Sequence, residues 1–506
     1  MWSIAAIGPG RPRAEVCETH TAVLFFAGDR VYKLKKPVDL GFLDWTTMPA
    51  RRGACEREVE LNRRFSPDVY LGPGELREPG SREPEPLVVM RRMPVERRLS
   101  RLVREGADVD DVLRSVARQL AAWHARAPRG PEVDEQGTRD ALASRWEDSF
   151  RQVRELAGDG GPPDEVPEVE RLVRRYLTGR KPLFDARIEQ GRVVDGHGDL
   201  LAEDIFCLDD GPRLLDCLEF DDRLRHVDGL DDAAFLAMDL ERLGAPQAAA
   251  YFLARYGEFS GDPAPSSLRH HYVAYRAFVR AKVSLIQARQ GAPDAETAFR
   301  RLVSTTLRHL RTAAVGLTLV GGLPGSGKST LAGALADRLG VTLLSSDRLR
   351  KELAGIPADR SAAAGYREGI YTPEWTAKTY AALLDRARVL LSAGESVVLD
   401  ATWSDAAQRE AAHRVAERAH ADLVALRCHA PDGVAAARLD ARTPGPSDAD
   451  ASVAAAMRAA EAPWPEAVRV DTGGALGAAV EQAMAAVRPW GAAQAPVFRR
   501  PYMEPG

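Results

Sequence analysis

Cysteine is scarce in this 506-residue chain. There are five, Cys17, Cys55, Cys207, Cys217 and Cys428, scattered, odd in number and without C-x-x-C spacing. That excludes a disulfide framework or a zinc ribbon and fits inert thiols in a reducing compartment. No apolar run approaches the roughly 18 residues needed to span a bilayer. The start, Met1-Trp2-Ser3-Ile4, lacks the basic region of a secretory signal. A cytoplasmic protein with no membrane partner is expected. Surplus charge is missing too: 69 basic residues face 73 acidic ones, net −4. No basic stripe interleaved with aromatics appears, so nucleic acid is not an expected partner. There is no internal repeat. What is present is apolar content of 45%, ample for globular folding in a chain too long for one core.

One stretch carries most of the information: Gly322-Leu323-Pro324-Gly325-Ser326-Gly327-Lys328-Ser329-Thr330. It follows the apolar run Leu317-Thr318-Leu319-Val320 and opens a helical stretch. That is the strand-before, helix-after setting which G-x-x-x-x-G-K-[ST] requires. Gly322, Gly325, Ser326, Gly327 and Thr330 belong to a loop whose N–H groups converge on phosphate, at a helix N-terminus that adds partial positive charge. Lys328 is expected on the β- and γ-phosphates and the Ser329 hydroxyl on Mg²⁺. The expected cofactors are ATP and Mg²⁺.

Composition divides the chain. Residues 1–95 hold short β-runs, such as 21–26 and 31–34, and a helix near 50–65. Residues 96–310 are mainly helical, interrupted by an extended segment from Arg192 to Phe220. From 316 to 488, strand and helix alternate in the βαβ manner, with strands at 317–320, 341–344, 397–399, 423–427 and 468–470. The tail 489–506 reads as loose. The fold class is thus a two-domain α+β and α/β chain, the second part a parallel sheet flanked by helices.

Within the first 310 residues, Gly196-His197-Gly198-Asp199-Leu200 places an aspartate in a glycine turn beside a histidine. Such an aspartate suits proton abstraction from a hydroxyl, and Asp204 with Asp216 suits Mg²⁺. Lys33 lies on a strand and Glu58 on the next helix, within reach of an ion pair. Lys35 shares the strand face of Lys33. These parts resemble the aminoglycoside phosphotransferase-like branch of the protein-kinase fold, whose H-G-D-x-x-x-x-N maps to His197, Gly198, Asp199 and position 204. The family's metal aspartate corresponds to Asp216, its lysine to Lys33 and its glutamate to Glu58. Asp228 and Asp232 match its structural acidic pattern. The resemblance implies a bilobal kinase-like domain, with an N-lobe to residue 95 and a helical C-lobe after it. Two departures stand out: Asp204 replaces the family asparagine, and only Ala27-Gly28 remains of the glycine-rich phosphate loop. Arg276 and Arg280, at i,i+4, read as braces or as contacts to an anionic substrate group.

After the second strand of the last region comes Asp347, then Arg350 one turn on. Asp347 is placed to orient or deprotonate an acceptor, and Arg350 to hold an anion. Asp400-Ala401-Thr402 closes a later strand, Asp400 facing magnesium and Thr402 the substrate. Arg409 reads as a further anion contact. Arg438 and Arg442 fit a mobile lid over the phosphates. This pattern is similar to the small P-loop kinases, a group that includes gluconate kinase, polynucleotide kinase and zeta-toxin-like enzymes. The combined expectation is a bifunctional kinase acting on a small-molecule hydroxyl acceptor. The rival expectations are one active P-loop kinase regulated by a kinase-like module, a nucleic-acid end kinase, and a regulatory ATPase.

Overall fold

The computed structural model describes residues 15–487 apart from 20, 40–42, 78–82, 158–160, 162, 358–359, 361, 363–366 and 442–450. The expected tail at 489–506 and Arg442 lie outside the described residues. The chain forms two compact units. The first comprises residues 1–156, 184–264 and 275–302; the second comprises 157–183, 265–274 and 303–506.

The first unit opens on a five-stranded antiparallel sheet. Its strands are β1 (Glu15–Glu18), β2 (Ala22–Ala27), β3 (Arg30–Lys35), β4 (Tyr70–Leu76) and β5 (Glu85–Arg91), in the order β1-β2-β3-β5-β4. Strands β2 and β3 alternate apolar residues toward the core, and Gly28, at φ +61°, makes the tight reversal between them. The helix Met48–Asn62 is capped by Thr47, which accepts the Ala50 N–H, and has a proline in its first turn. It buries Cys55 and Val59 against Val31, Val88 and Met90 of the sheet. The helical part follows, interrupted by β6 (Val193–Asp195), β7 (Ile205–Leu208), β8 (Gly211–Leu214) and β9 (His226–Asp228). These pair as two small antiparallel sheets, β6 with β9 and β7 with β8. Strands β6, β7 and β8 fall within the extended segment expected from Arg192 to Phe220, and β9 lies just past it.

The second unit is built on β10 (Gly316–Gly321), β11 (Thr342–Ser345), β12 (Val397–Asp400), β13 (Asp422–His429) and β14 (Val468–Asp471). All neighbours are parallel, in the order β11-β12-β10-β13-β14. Strand β10 is central and buried along its whole length, as a strand covered on both faces must be. Val320, Val398, Leu426 and Val470 form a core with Leu331 and Leu335 of the helix Lys328–Leu339.

Compactness divides the chain differently from a sequence boundary at 310–316. Two early stretches, 157–183 and 265–274, belong with the parallel sheet, and specific bonds tie them there. Arg180 donates to the Ala419 carbonyl at 2.6 Å, Ser267 to the Gly394 carbonyl at 2.7 Å, and Arg175 pairs with Asp422 at 2.5 Å. Gly179 lies so close to Ala419 that a Cβ would fall on its carbonyl oxygen. Gly179→Ala is therefore expected to destabilise the second unit by about 1–3 kcal/mol through overpacking alone. Calorimetric unfolding should show that loss; an unshifted transition would mean this packing contributes little.

Candidate functional site

In the first unit, β3 projects Lys33 and Lys35 to one face, and both reach Glu58 on the buried side of the helix Met48–Asn62. Lys33 Nζ lies 2.9 Å from Glu58 Oε1 and 2.6 Å from Asp216 Oδ1. Lys35 Nζ lies 2.6 Å from Glu58 Oε2 and 2.5 Å from Glu219 Oε1, and 4.2 Å above the Trp45 ring. Burial opposes the Lys33 charge, yet Asp216 and then Glu58 outweigh it and hold the ammonium well above the ordinary lysine value. The lysine and glutamate expected to pair do pair. Glu219 and the second, fully buried lysine pair were not foreseen, although the i,i+2 spacing of the lysines signalled it.

The glycine turn holding Asp199 is pinned from behind. The Asp232 carboxylate accepts the N–H groups of His197 and Gly198, each at 2.8 Å, and meets His124 Nε2 at 3.0 Å. A Cβ on Gly196 would strike that carboxylate, and Gly198 adopts φ +85°. His197 is buried, its ring nitrogen Nε2 3.1 Å from the Leu215 carbonyl, and its ring packs on Phe65. It braces the loop. Asp216 stands at φ +64°, unusual for a residue with a side chain. Its N–H donates to the Tyr70 hydroxyl at 3.0 Å, and the Cys217 N–H to the Asn62 side chain at 2.9 Å.

Three carboxyls meet at this point. Burial pushes Asp199 up to about 6, with Arg280 pulling it back and Asp216 pushing it further. Burial, Asp216 and Asp199 together hold Asp204 well above the usual carboxylate range. Lys33, by contrast, holds Asp216 low. Among the described residues no three His, Cys, Asp or Glu side chains form a ready-made metal cage. Asp204 and Asp216 would suit a dication, whose charge would offset the burial and the Asp216 repulsion that hold Asp204 high.

A base needs its carboxylate form. With Asp199 near 6, any transfer in the first unit that uses it as base is expected to fall about tenfold per pH unit as pH drops below that value. A pH–rate profile in a Lys328→Ala background measures this. A flat profile to pH 5 would remove Asp199 from the role.

In the second unit, β10 runs into the glycine loop. Gly322, Gly325 and Gly327 take φ values of +142°, +78° and +81°, and a Cβ on Gly325 would stand 2.6 Å from the Ala435 carbonyl oxygen. Beside the loop lies a cavity of about 350 Å³, lined by Gly327, Lys328, Ser329, Thr330, Arg438 and Thr472 among others. The Thr472 hydroxyl lies 2.5 Å from the Ser326 carbonyl oxygen and 2.9 Å from that of His429, fixing the loop to the end of β14. Thr472 was not foreseen, because a threonine after a short strand carries no motif.

Register brings the other groups to the same crevice. Ser345 stands opposite Asp400, and Asp400 opposite Val320, at the carboxyl ends of adjacent strands. Asp347 sits in the first turn of the helix Ser346–Leu353, whose N-cap is Ser345. Burial pushes the Asp400 carboxyl up, with Lys328 and then the Ser329 hydroxyl pulling it back. Arg350 is buried, donates to the Ile370 carbonyl at 3.0 Å and lies 4.9 Å from the Tyr371 ring. Arg438 donates to the Thr472 carbonyl at 2.7 Å. The buried atoms Ser326 Oγ, Asp400 Oδ1, Arg350 Nε and Arg438 Nη1 have no hydrogen-bond partner among the described residues. Orphans of this kind fit phosphate oxygens and a hydrated cation.

Arg409 is a correction. Its guanidinium is spent on the Trp403 and Pro463 carbonyls at 2.9 and 2.7 Å and stacks on Trp464, so it braces the loop after β12 and is not an anion contact. Thr402 meets the Tyr380 hydroxyl at 3.1 Å.

Comparison with known proteins gives three results. A family model described as an AAA domain matches residues 317–463. Uncharacterized protein Rv2004c of Mycobacterium tuberculosis (strain ATCC 25618 / H37Rv) is 45% identical over 473 residues, 93% of this chain and 95% of its own length. Uncharacterized protein Mb2027c of Mycobacterium bovis (strain ATCC BAA-935 / AF2122/97) shows the same identity and coverage. Among solved structures, a gluconokinase from Sinorhizobium meliloti 1021 is similar at 22% identity and TM-score 0.26, covering 34% of this chain and 91% of its own. A choline/ethanolamine kinase family protein from Mesorhizobium loti covers 61% and 95%, at 16% identity and TM-score 0.38. The GDP complex of wild-type aminoglycoside 2'-phosphotransferase-IIIa covers 60% and 94%, at 16% and 0.35. No helix among the described residues is long and apolar enough to cross a membrane.

Proposed function

We propose, for a chain that belongs to one family with these mycobacterial proteins, that it is a bifunctional ATP-dependent kinase moving the γ-phosphoryl group to hydroxyls of small molecules. The observation that supports the reading is a separate charged cluster in each unit, Lys33 with Glu58 and Asp216 in the first and the glycine loop with Lys328 in the second. The domain reading 1–95, 96–310 and 316–488 remains our functional division.

In the first unit, Lys33 is the phosphate ligand, held by Glu58, and Asp199 receives the hydroxyl proton. Asp204 and Asp216 would hold Mg²⁺. In the second, the loop from Gly322 to Thr330 grips the phosphates, Lys328 neutralises developing charge, and Asp347 orients the acceptor. Ser329 and Asp400 would hold Mg²⁺ there, and Arg350 with Arg438 stabilises the migrating group. Bound Mg²⁺ supplies charge neutralisation on the phosphates.

A second reading has one observation in its favour. The turn between β2 and β3 contains only Ala27-Gly28-Asp29-Arg30, so it lacks a run of glycine N–H groups to clasp phosphates. In that case the first unit is a ligand-binding module governing one active P-loop kinase. Incubation with γ-labelled ATP, Mg²⁺ and a metabolite extract separates the two. Two labelled products, one lost in Lys328→Ala and the other in Asp199→Asn, are expected. One product lost only with Lys328 establishes the module, and free phosphate alone establishes an ATPase.

A further inference from the structure

Two arginines four residues apart on the helix Ser266–Arg289 share the face that borders the Asp199 loop. Arg276 is buried and its charge is spent. Its Nε and Nη2 meet the two Asp231 oxygens at 2.7 and 3.0 Å, Nη1 lies 3.4 Å from the Gly198 carbonyl, and the guanidinium packs 4.8 Å from the Phe235 ring. That contact with Gly198, the residue before Asp199, fixes how this face lies against the loop.

Arg280 comes one turn later and has a different situation. It is half-buried, and no hydrogen bond or ion pair among the described residues occupies its guanidinium. Its charge falls on Asp199 more strongly than that of any other residue. A second open cation comes from the helix Arg139–Ala157. Arg145 Nε and Nη1 are buried without a partner, and its charge is felt by Asp231 and Tyr275, which flank Arg276. The acids in the neighbourhood are engaged elsewhere. Asp231 is closed by Arg276, Asp239 by Arg242 and the Ala202 N–H, and Asp216 by Lys33.

A half-buried arginine without an acid, beside a catalytic carboxylate, is an anion receptor waiting for a ligand that also faces the base. We infer that the acceptor of the first unit carries a phosphate or carboxylate group, bound by Arg280 with Arg145 in support, while its hydroxyl faces Asp199. The inference deepens the proposed kinase reading and rests on it. In the step itself, the hydroxyl gives its proton to Asp199 and its oxygen bonds the γ-phosphorus. The bond from that phosphorus to the β,γ-bridging oxygen breaks, and its electron pair leaves with ADP. A polycationic acceptor, such as an amino sugar, meets Arg280 as like charge on like charge and is disfavoured.

The test uses the full chain with Lys328→Ala, saturated with Mg²⁺ and a non-hydrolysable ATP analogue so that phosphate sites on the nucleotide path are filled. Inorganic phosphate, acetate and glucosamine are the probes, followed by calorimetry. Arg280→Gln is expected to weaken the preferred anion about tenfold, and Arg280→Lys, which keeps the charge, to recover part of the loss. Preference for phosphate over acetate, or the reverse, tells which anionic group the site takes. A parent that binds neither anion, anion affinity unchanged in Arg280→Gln, or tighter binding of glucosamine would each overturn the inference. Lys33→Met in the same background checks the underlying reading separately. If analogue binding to the first unit is insensitive to Lys33, the kinase reading fails, while an Arg280-dependent anion site would survive as a ligand site.

Discussion

Lys328→Ala is expected to lower phosphoryl transfer by the second unit about a thousandfold, the scale for removing one preorganised charge at a site of developing negative charge. Two effects combine. The ammonium that meets the β- and γ-phosphates is lost, and so is the strongest influence holding the Asp400 carboxyl down against burial. With that pull removed, burial acts on Asp400 with less opposition. The fold should survive, because the loop is also tied by Thr472 and by the helix Lys328–Leu339, whose core contacts come from Leu331 and Leu335. Circular dichroism and thermal unfolding check that point, and single-turnover transfer checks the rate. A variant within a few-fold of the parent would remove the glycine loop from the chemistry.

Asp199→Asn is expected to lower transfer by the first unit about 10²–10⁴-fold, the span of general-base catalysis, with nucleotide affinity nearly unchanged. The change is almost isosteric, and the loop keeps its shape because the Asp232 carboxylate holds the neighbouring N–H groups. Lys33, Glu58 and Asp216, which belong to the nucleotide end, are untouched. A binding titration and single-turnover rates in the Lys328→Ala background separate the two effects. Equal losses of binding and rate would mean that the residue shapes the site and is not its base.

Much of this architecture was legible in the sequence, and unevenly so for physical reasons. The five parallel strands were found within a residue or two because a buried central strand reads as an unbroken apolar run bounded by turns. The strand β4 was missed, since Tyr70-Leu71-Gly72-Pro73-Gly74 carries the punctuation of a loop; it is an edge strand, where proline and glycine are tolerated. The fully exposed β1 was missed for want of any buried alternation. Among site residues, the glycine loop follows from local spacing, whereas Lys33 and Glu58 were singled out by the resemblance to the kinase-like family. Glu219, Thr472 and the separate fates of Arg276 and Arg280 depend on neighbours distant in sequence, which no local pattern encodes. Arg409 was misjudged for the same reason, its carbonyl partners lying six and 54 residues away.

The interleaving of the two units also sets a timetable for synthesis. Residues 157–183 belong to the second unit, whose parallel sheet is completed only at β14, Val468–Asp471. At the usual pace of about 5–20 residues per second, translation leaves Arg175 and Arg180 of that early segment without their partners Asp422 and Ala419 for about 12–48 seconds. During this interval Arg180, buried in the folded chain, lacks the carbonyl it donates to. Slowing translation is expected to lengthen that interval.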